Sequence, residues 1–284
     1  ARNQGLEVLG CYDGFKWLSR GDTSQIRKLH PDEISRIHMR GGSFIRTSRE
    51  SPTKDPAKMA NVIKALTELG VKYLITIGGD DTAFTATQVE KAAGGKIAVC
   101  HVPKTIDNDL PLPHGVPTFG FETARQLGAQ LVENLMEDAQ TAFRWYIVVA
   151  MGRSAGHLAL GMGMGAGATL TLIPEELGDK ISWKKVVAIL TGAMIKRLVL
   201  GRNHGVAVIA EGVAIRFDSE EMTILKDVPR DEHGNIRLAE IPLADMLKQH
   251  VLAELASLGL KMTIIGKDIG YELRCQPSIS YDRE

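Results

Sequence analysis

The segment from Asp55 to Val102 admits few folds. Asp55-Pro56 supplies a helix cap and a proline at the first helical position, Met59, Val62, Ile63, Leu66 and Leu69 recur at helical spacing, and Gly70 ends the run. A strand-like stretch at 71–77 follows, then Gly78-Gly79, a second helix over about 82–93, Gly94-Gly95 and another strand-like stretch at 97–102. The order is β-α-β, with a crossover long enough for parallel strands. Each strand runs into a polar segment, Ile77-Gly78-Gly79-Asp80-Asp81-Thr82 and Pro103-Lys104-Thr105-Ile106-Asp107-Asn108-Asp109. Ligands of open α/β sheets collect at the carboxyl ends of strands, so the two segments are expected to converge on one site.

The alternation runs along the whole chain. Residues 1–10 read as the tail of a helix, a glycine cap and a strand at 6–10, followed by a Tyr12-Asp13-Gly14-Phe15 turn and a polar stretch. A helix is expected at 119–140, with Leu127, Leu131, Leu135 and Met136 on one side, and a strand at 146–150. That strand delivers Met151-Gly152-Arg153-Ser154, where Ser154 is read as the cap of a Gly/Ala-rich helix to about 167. Strands at 168–173, 206–210 and 262–265 and helices at 182–200 and 243–258 complete the pattern. The charged stretch 227–237, with His233-Gly234-Asn235, reads as an exposed hairpin or loop. The fold class is α/β, with mainly parallel sheets in two lobes.

Composition excludes several function classes. Lys+Arg and Asp+Glu are both 34 in 284 residues, so no global basic field draws nucleic acid or an anionic membrane. The longest uncharged run, between His157 and Glu175, is short and glycine-rich for a membrane span. Cys11, Cys100 and Cys275 lie far apart, without C-x-x-C spacing, and read as small buried hydrophobes in a reducing cytoplasm. No signal-peptide pattern opens the chain, and a cytoplasmic location is expected.

Gly161-x-Gly163-x-x-Ala166 matches a dinucleotide-binding pattern but lies inside a helix rather than after a strand, so it reads as helix packing. Neither a Walker loop nor an H-E-x-x-H pair occurs. Gly41-Gly42-Ser43-Phe44-Ile45-Arg46-Thr47-Ser48-Arg49 suits an anion, although an ordinary polar turn is the simpler reading. Asp80 and Asp81 fit either a helix start or a ligand. Asp107 and Asp109, with Lys104 beside them, favour the ligand, since alternate residues of an extended segment share a face. Metal-bound phosphate chemistry uses carboxylates for Mg²⁺, a base for the attacking hydroxyl and cations for phosphoryl oxygens, and all three are represented.

Gly41-Gly42-Ser43 with Thr47-Ser48-Arg49, Gly78-Gly79-Asp80-Asp81-Thr82, Pro103 to Asp109, Thr118-Phe119-Gly120-Phe121-Glu122-Thr123-Ala124, Met151-Gly152-Arg153, Glu211-Gly212 and Tyr271-Glu272-Leu273-Arg274 occur together in an order that resembles the 6-phosphofructokinases. The resemblance implies the phosphofructokinase fold of two Rossmann-like lobes. Residues 1–118, completed by 273–284, would hold the phosphoryl donor and Mg²⁺, and residues 119–272 fructose 6-phosphate. It implies Asp107 as the base toward the sugar's 1-hydroxyl, Asp80 as the Mg²⁺ ligand with Asp109 nearby, and Arg153 and Arg49 as stabilisers of the transferring phosphoryl group. Thr105, Ile106, Asp107, Asp109, Met151, Gly152, Arg153, Glu211, Tyr271 and Arg274 would bind the sugar phosphate. Arg144 would reach that of a neighbouring subunit in a homodimer or homotetramer. Gly78, Gly79 and Thr82 would meet the donor.

Asp81 and Lys104 stand where ATP-using relatives carry glycine, so the resemblance is to the pyrophosphate-dependent branch. A carboxylate at 81 would repel and crowd the α-phosphate of ATP, and Lys104 would supply an ammonium to pyrophosphate. The alternatives are an ATP-dependent 6-phosphofructokinase and a non-catalytic sugar-phosphate-binding regulatory homologue. The family's opening strand and glycine-rich loop, and its closing helix, are expected in a longer chain around these residues.

Overall fold

The computed structural model describes residues 5–217, 238, 241–276 and 282. The helix tail at 1–4 and the charged stretch 227–237 lie outside the described residues. Two compact units form, one of Ala1–Thr105, Leu110–Leu112 and Cys275–Arg283, the other of Ile106–Asp109 and Pro113–Arg274.

In the first unit, β1 (Leu9–Cys11) pairs antiparallel with β2 (Ile26–Lys28). The polar stretch after the turn thus hides a strand, and the expected strand at 6–10 forms later and shorter. Helix α1 (Pro56–Glu68) starts as its cap dictates, with Asp55 Oδ1 accepting from the Ala57 amide at 2.8 Å. Strand β3 (Tyr73–Gly78) leads into α2 (Asp80–Ala93), which begins at Asp80 rather than 82, and then β4 (Ala98–Thr105). β3 and β4 are parallel, from Tyr73 opposite Ala98 to Gly78 opposite Pro103. Leu18, Val62, Leu66, Val89 and Ile97 form the core. The cysteines depart from expectation. Cys100, on the outward register of β4, and Cys275 are exposed, while burial and Asp13 push the half-buried Cys11 thiol up to about 11.

The second unit contains α3 (Phe121–Ala142), β5 (Trp145–Ala150), α4 (His157–Ala166), β6 (Leu170–Leu172), α5 (Trp183–Val199), β7 (Gly205–Ala210), α6 (Leu243–Ser257) and β8 (Ile264–Ile269). Its sheet is wholly parallel in the order β6-β7-β5-β8. Every residue of β5 and β7 is buried, as expected of central strands covered on both faces. Ser154 does not cap α4; the helix starts at His157 after Gly156, because the turn at Gly152–Ala155 comes first. The glycine pattern within α4 serves close packing. A Cβ on Gly163 would lie 2.1 Å from Thr171 Oγ1, and one on Gly161 2.6 Å from Arg125 Cδ. β8 starts and ends later than the expected 262–265, which sets Gly270 and Tyr271 directly at its carboxyl end. Among the described residues, no helix is long and apolar enough to cross a membrane.

Candidate active site

The register of the second sheet aligns Ala150 with both Ala210 and Ile269. The next residues on these three strands, Met151, Glu211 and Gly270, therefore emerge side by side at the carboxyl edge, and the Met151 amide is bonded to the Ile269 carbonyl at 3.0 Å. From β5 the chain travels toward β6 and β7, and later returns to the other flank of β5 as β8, so the edge is a topological switch point. A cavity of about 250 Å³ opens there, lined by Met151, Glu211, Asp268, Gly270, Tyr271 and Glu272 among others.

Glu211 organises this edge. It is 6% exposed, and its Oε1 accepts from the amides of Gly152 at 3.0 Å and Arg153 at 2.7 Å. Those bonds hold Arg153 in the left-handed region at φ 52°, a conformation that costs a non-glycine residue roughly 1–2 kcal/mol. A Cβ at Gly152 would sit 2.9 Å from the Ala155 carbonyl oxygen, which explains the glycine beside it. Burial raises the Glu211 pKa above the usual carboxylate range; the two amides oppose that rise, the Asp107 carboxylate adds to it and Arg274 opposes it. Asp107 and Arg274 thus share the electrostatic environment of Glu211. The Arg274 guanidinium lies over the Tyr271 ring, 4.9 Å from its centre, and Glu272 accepts from the Gly270 amide at 3.0 Å.

Residues 106–109 are not extended, contrary to the reasoning that put Asp107 and Asp109 on one face. β4 ends at Thr105, the chain bends, and Asn108 is left-handed at φ 53°. Asp107 is 8% exposed, and the Ile106 side chain belongs to the hydrophobic core, which leaves its backbone as what it can offer a ligand. Arg144 is not brought to this edge. It precedes β5, at the opposite end of a six-residue strand about 20 Å long, and its Nε lies 3.6 Å from Asp138 Oδ2.

In the first unit, Gly78 and Gly79 have different reasons to be glycine. A Cβ at Gly78 would meet Thr82 Oγ1 at 2.3 Å, whereas Gly79 caps α2 in an extended conformation and faces open space. Asp80, Asp81 and Thr82 form the first turn of α2, with both carboxylates exposed. Lys104, also exposed, follows Pro103, the register partner of Gly78. Ser51 Oγ lies 3.2 Å from Thr85 Oγ1, which bonds the Asp81 carbonyl at 2.9 Å, so the segment carrying the exposed Arg49 is tied to the start of α2. Arg46 is engaged elsewhere, 3.2 Å from Asp13 and over the Tyr12 ring. Gly41 serves packing, since its Cβ would fall 2.1 Å from the Cys275 carbonyl oxygen.

The sequence matches the family model Phosphofructokinase over residues 1–283. The chain belongs to the phosphofructokinase family. It is 51% identical over 284 residues to a pyrophosphate–fructose 6-phosphate 1-phosphotransferase of Thermotoga maritima, covering 99% of this chain and 68% of the relative. It is 46% identical over 294 residues to the enzyme of that name from Naegleria fowleri, covering 100% and 67%. Its fold matches the structure of phosphofructokinase from Saccharomyces cerevisiae with a TM-score of 0.77 at 20% identity, over 99% of this chain and 36% of that one. The chain thus spans about two thirds of those two relatives and about a third of the yeast protein.

Sequence reasoning gave no role to Asp268, Glu272, Asn108 or His157. The first two enter the cavity because β8 runs on to Ile269, a register that the four-residue signal at 262–265 does not reveal. Among the described residues, no group of three or more His, Cys, Asp or Glu is arranged to hold a metal. Mg²⁺ bound through one or two carboxylates, substrate phosphates and water needs no such cage, and Asp80 at the exposed start of α2 fits that mode.

Proposed function

We propose that the chain carries out reversible phosphoryl transfer from pyrophosphate to the 1-hydroxyl of fructose 6-phosphate, giving fructose 1,6-bisphosphate and phosphate. The observation that carries the reading is the carboxyl edge of β5, β7 and β8. There one buried carboxylate, Glu211, binds the Arg153 turn and shares its electrostatic surroundings with Asp107 and Arg274. The similarity to two relatives named for this reaction supports it.

In this reading the second unit holds the sugar phosphate through Met151, Gly152, Glu211, Tyr271 and Arg274, with Thr105, Ile106 and Asp109 contributing at the start of the bend. Asp107 accepts the proton of the 1-hydroxyl as its oxygen bonds to phosphorus and the bridging P–O bond of pyrophosphate breaks, releasing phosphate. Arg153 and Arg49 stabilise charge on the transferring group. The first unit holds the donor through the backbone of Gly78, Gly79 and Thr82 and the Lys104 ammonium, while Asp81 repels the α-phosphate of a nucleotide. Asp80 would hold Mg²⁺, which when bound neutralises phosphate charge. The enzyme acts in the cytoplasm as a homodimer or larger homo-oligomer in which Arg144 serves a neighbouring subunit.

The test is the initial rate of fructose 1,6-bisphosphate formation with Mg²⁺ and either pyrophosphate or ATP, on the 284-residue chain and on one extended at both ends. Turnover with pyrophosphate alone is expected. Turnover with ATP alone overturns the roles of Asp81 and Lys104, and silence with both while sugar phosphate still binds favours a regulatory protein.

A further inference from the structure

Asn108 is held from two sides by groups that the proposed chemistry does not use. Its Oδ1 accepts from the amide of Thr118 at 2.9 Å, closing the loop between them, and Thr118 is fully buried. Its carbonyl oxygen lies 2.8 Å from His157 Nδ1. A carbonyl only accepts, so Nδ1 carries the proton and donates. His157 is the first residue of α4, a helix fixed by the buried Leu158, Ala159 and Met162 and by the contact of Gly163 with Thr171. The left-handed conformation of Asn108, tolerated by Asn better than by most residues, turns the chain between the two carboxylates that flank it.

We infer that Asn108 and His157 are positioning residues, which act by fixing the Asp107 carboxylate relative to the carboxyl edge of β5 and β7. The inference rests on the assignment of Asp107 as base. With Asn108 tied through its carbonyl to the start of α4 and through its side chain to a buried threonine, the backbone on the C-terminal side of Asp107 is restrained. A misplacement of about 1 Å at a reacting group costs on the order of 100-fold in rate, so loosening the clamp should slow turnover without weakening ground-state binding in proportion.

The experiment compares wild type with His157→Ala, His157→Asn and Asn108→Gly. In His157→Asn the amide nitrogen of the introduced side chain stands as many bonds from Cα as Nδ1 does and can donate to the same carbonyl. Glycine at 108 keeps the left-handed conformation but removes the side-chain acceptor. With the donor that supports turnover, His157→Ala and Asn108→Gly are expected to lose about 10- to 100-fold in kcat with KM for fructose 6-phosphate within about twofold, and His157→Asn to recover most of the loss. An unchanged kcat in His157→Ala, or no recovery in His157→Asn, overturns the inference. Backbone amide exchange separates this from the functional reading. In the variants the amides of 106–109, and in Asn108→Gly that of Thr118, are expected to exchange at least several-fold faster. Unchanged exchange refutes the clamp whether or not the wild type turns over, whereas faster exchange in a chain inactive with both donors refutes only the phosphotransferase reading.

Discussion

Replacing Glu211 separates what its carboxylate holds from what its burial costs. Glu211→Ala strips the acceptor from two amides at 3.0 and 2.7 Å. A hydrogen bond to a charged group contributes roughly 1.5–3 kcal/mol, so the pair represents about 3–6 kcal/mol. Burial is the largest influence on this carboxyl and raises its pKa, so part of that gain is offset in the wild type by a desolvation cost that alanine does not carry. The expected net loss is about 2–3 kcal/mol, or roughly 3–5 °C in Tm for a chain of 284 residues. Glu211→Gln retains a carbonyl oxygen for both amides, with neutral bonds of about 0.5–1.5 kcal/mol each, and removes the buried charge, so its Tm should stay near wild type. The pH dependence has a definite sign. A carboxyl whose folded pKa is raised contributes stability that is fully present below its unfolded pKa and is lost as pH rises through the folded value. Wild type should therefore lose ground to Glu211→Gln as the pH is raised from the acid side of the ordinary carboxylate range to neutrality. Thermal melts of the three proteins across that range check both points. An alanine variant that melts with the glutamine variant, or a wild type that gains on it with rising pH, refutes the account of this edge.

Asp107→Ala should lower kcat by about 100-fold or more while the Kd for fructose 6-phosphate, measured by calorimetry, changes little; near-normal turnover removes Asp107 as base. Asp81→Gly should raise kcat/KM for ATP relative to pyrophosphate by on the order of tenfold, since it deletes a repelling carboxylate, and an unchanged donor ratio in steady-state assays counts against residue 81 as the gate. Arg144→Ala should raise KM for fructose 6-phosphate with little change in Tm, because its partly exposed pair with Asp138 contributes less than about 1 kcal/mol; an unchanged KM ends the case for a shared site.

Residues at strand ends were legible, and residues that act on the backbone were not. β5 and β7 are continuous apolar runs, and a fully buried strand can hardly read otherwise, so Met151 and Glu211 could be placed at its carboxyl edge from sequence. That Glu211 would take the amides of Gly152 and Arg153 was invisible, because it depends on the pairing of two strands far apart in the chain. The bend at 106–109 escapes a sequence reading for a related reason. Period-two alternation holds only while a strand continues, and nothing in Ile106-Asp107-Asn108-Asp109 announces that the ladder stops at Thr105. Asn108 and His157 leave no periodic trace at all, since their signal is one hydrogen bond between a turn and a helix start. Arg144 shows the opposite case. It and Met151 bracket β5, so the spacing that sets Met151 at the carboxyl edge excludes Arg144 from that edge in the same chain. Any part it takes in binding sugar phosphate must therefore be played in another subunit's cavity, which ties the KM of Arg144→Ala to the oligomeric state and makes the two measurable against each other by dilution.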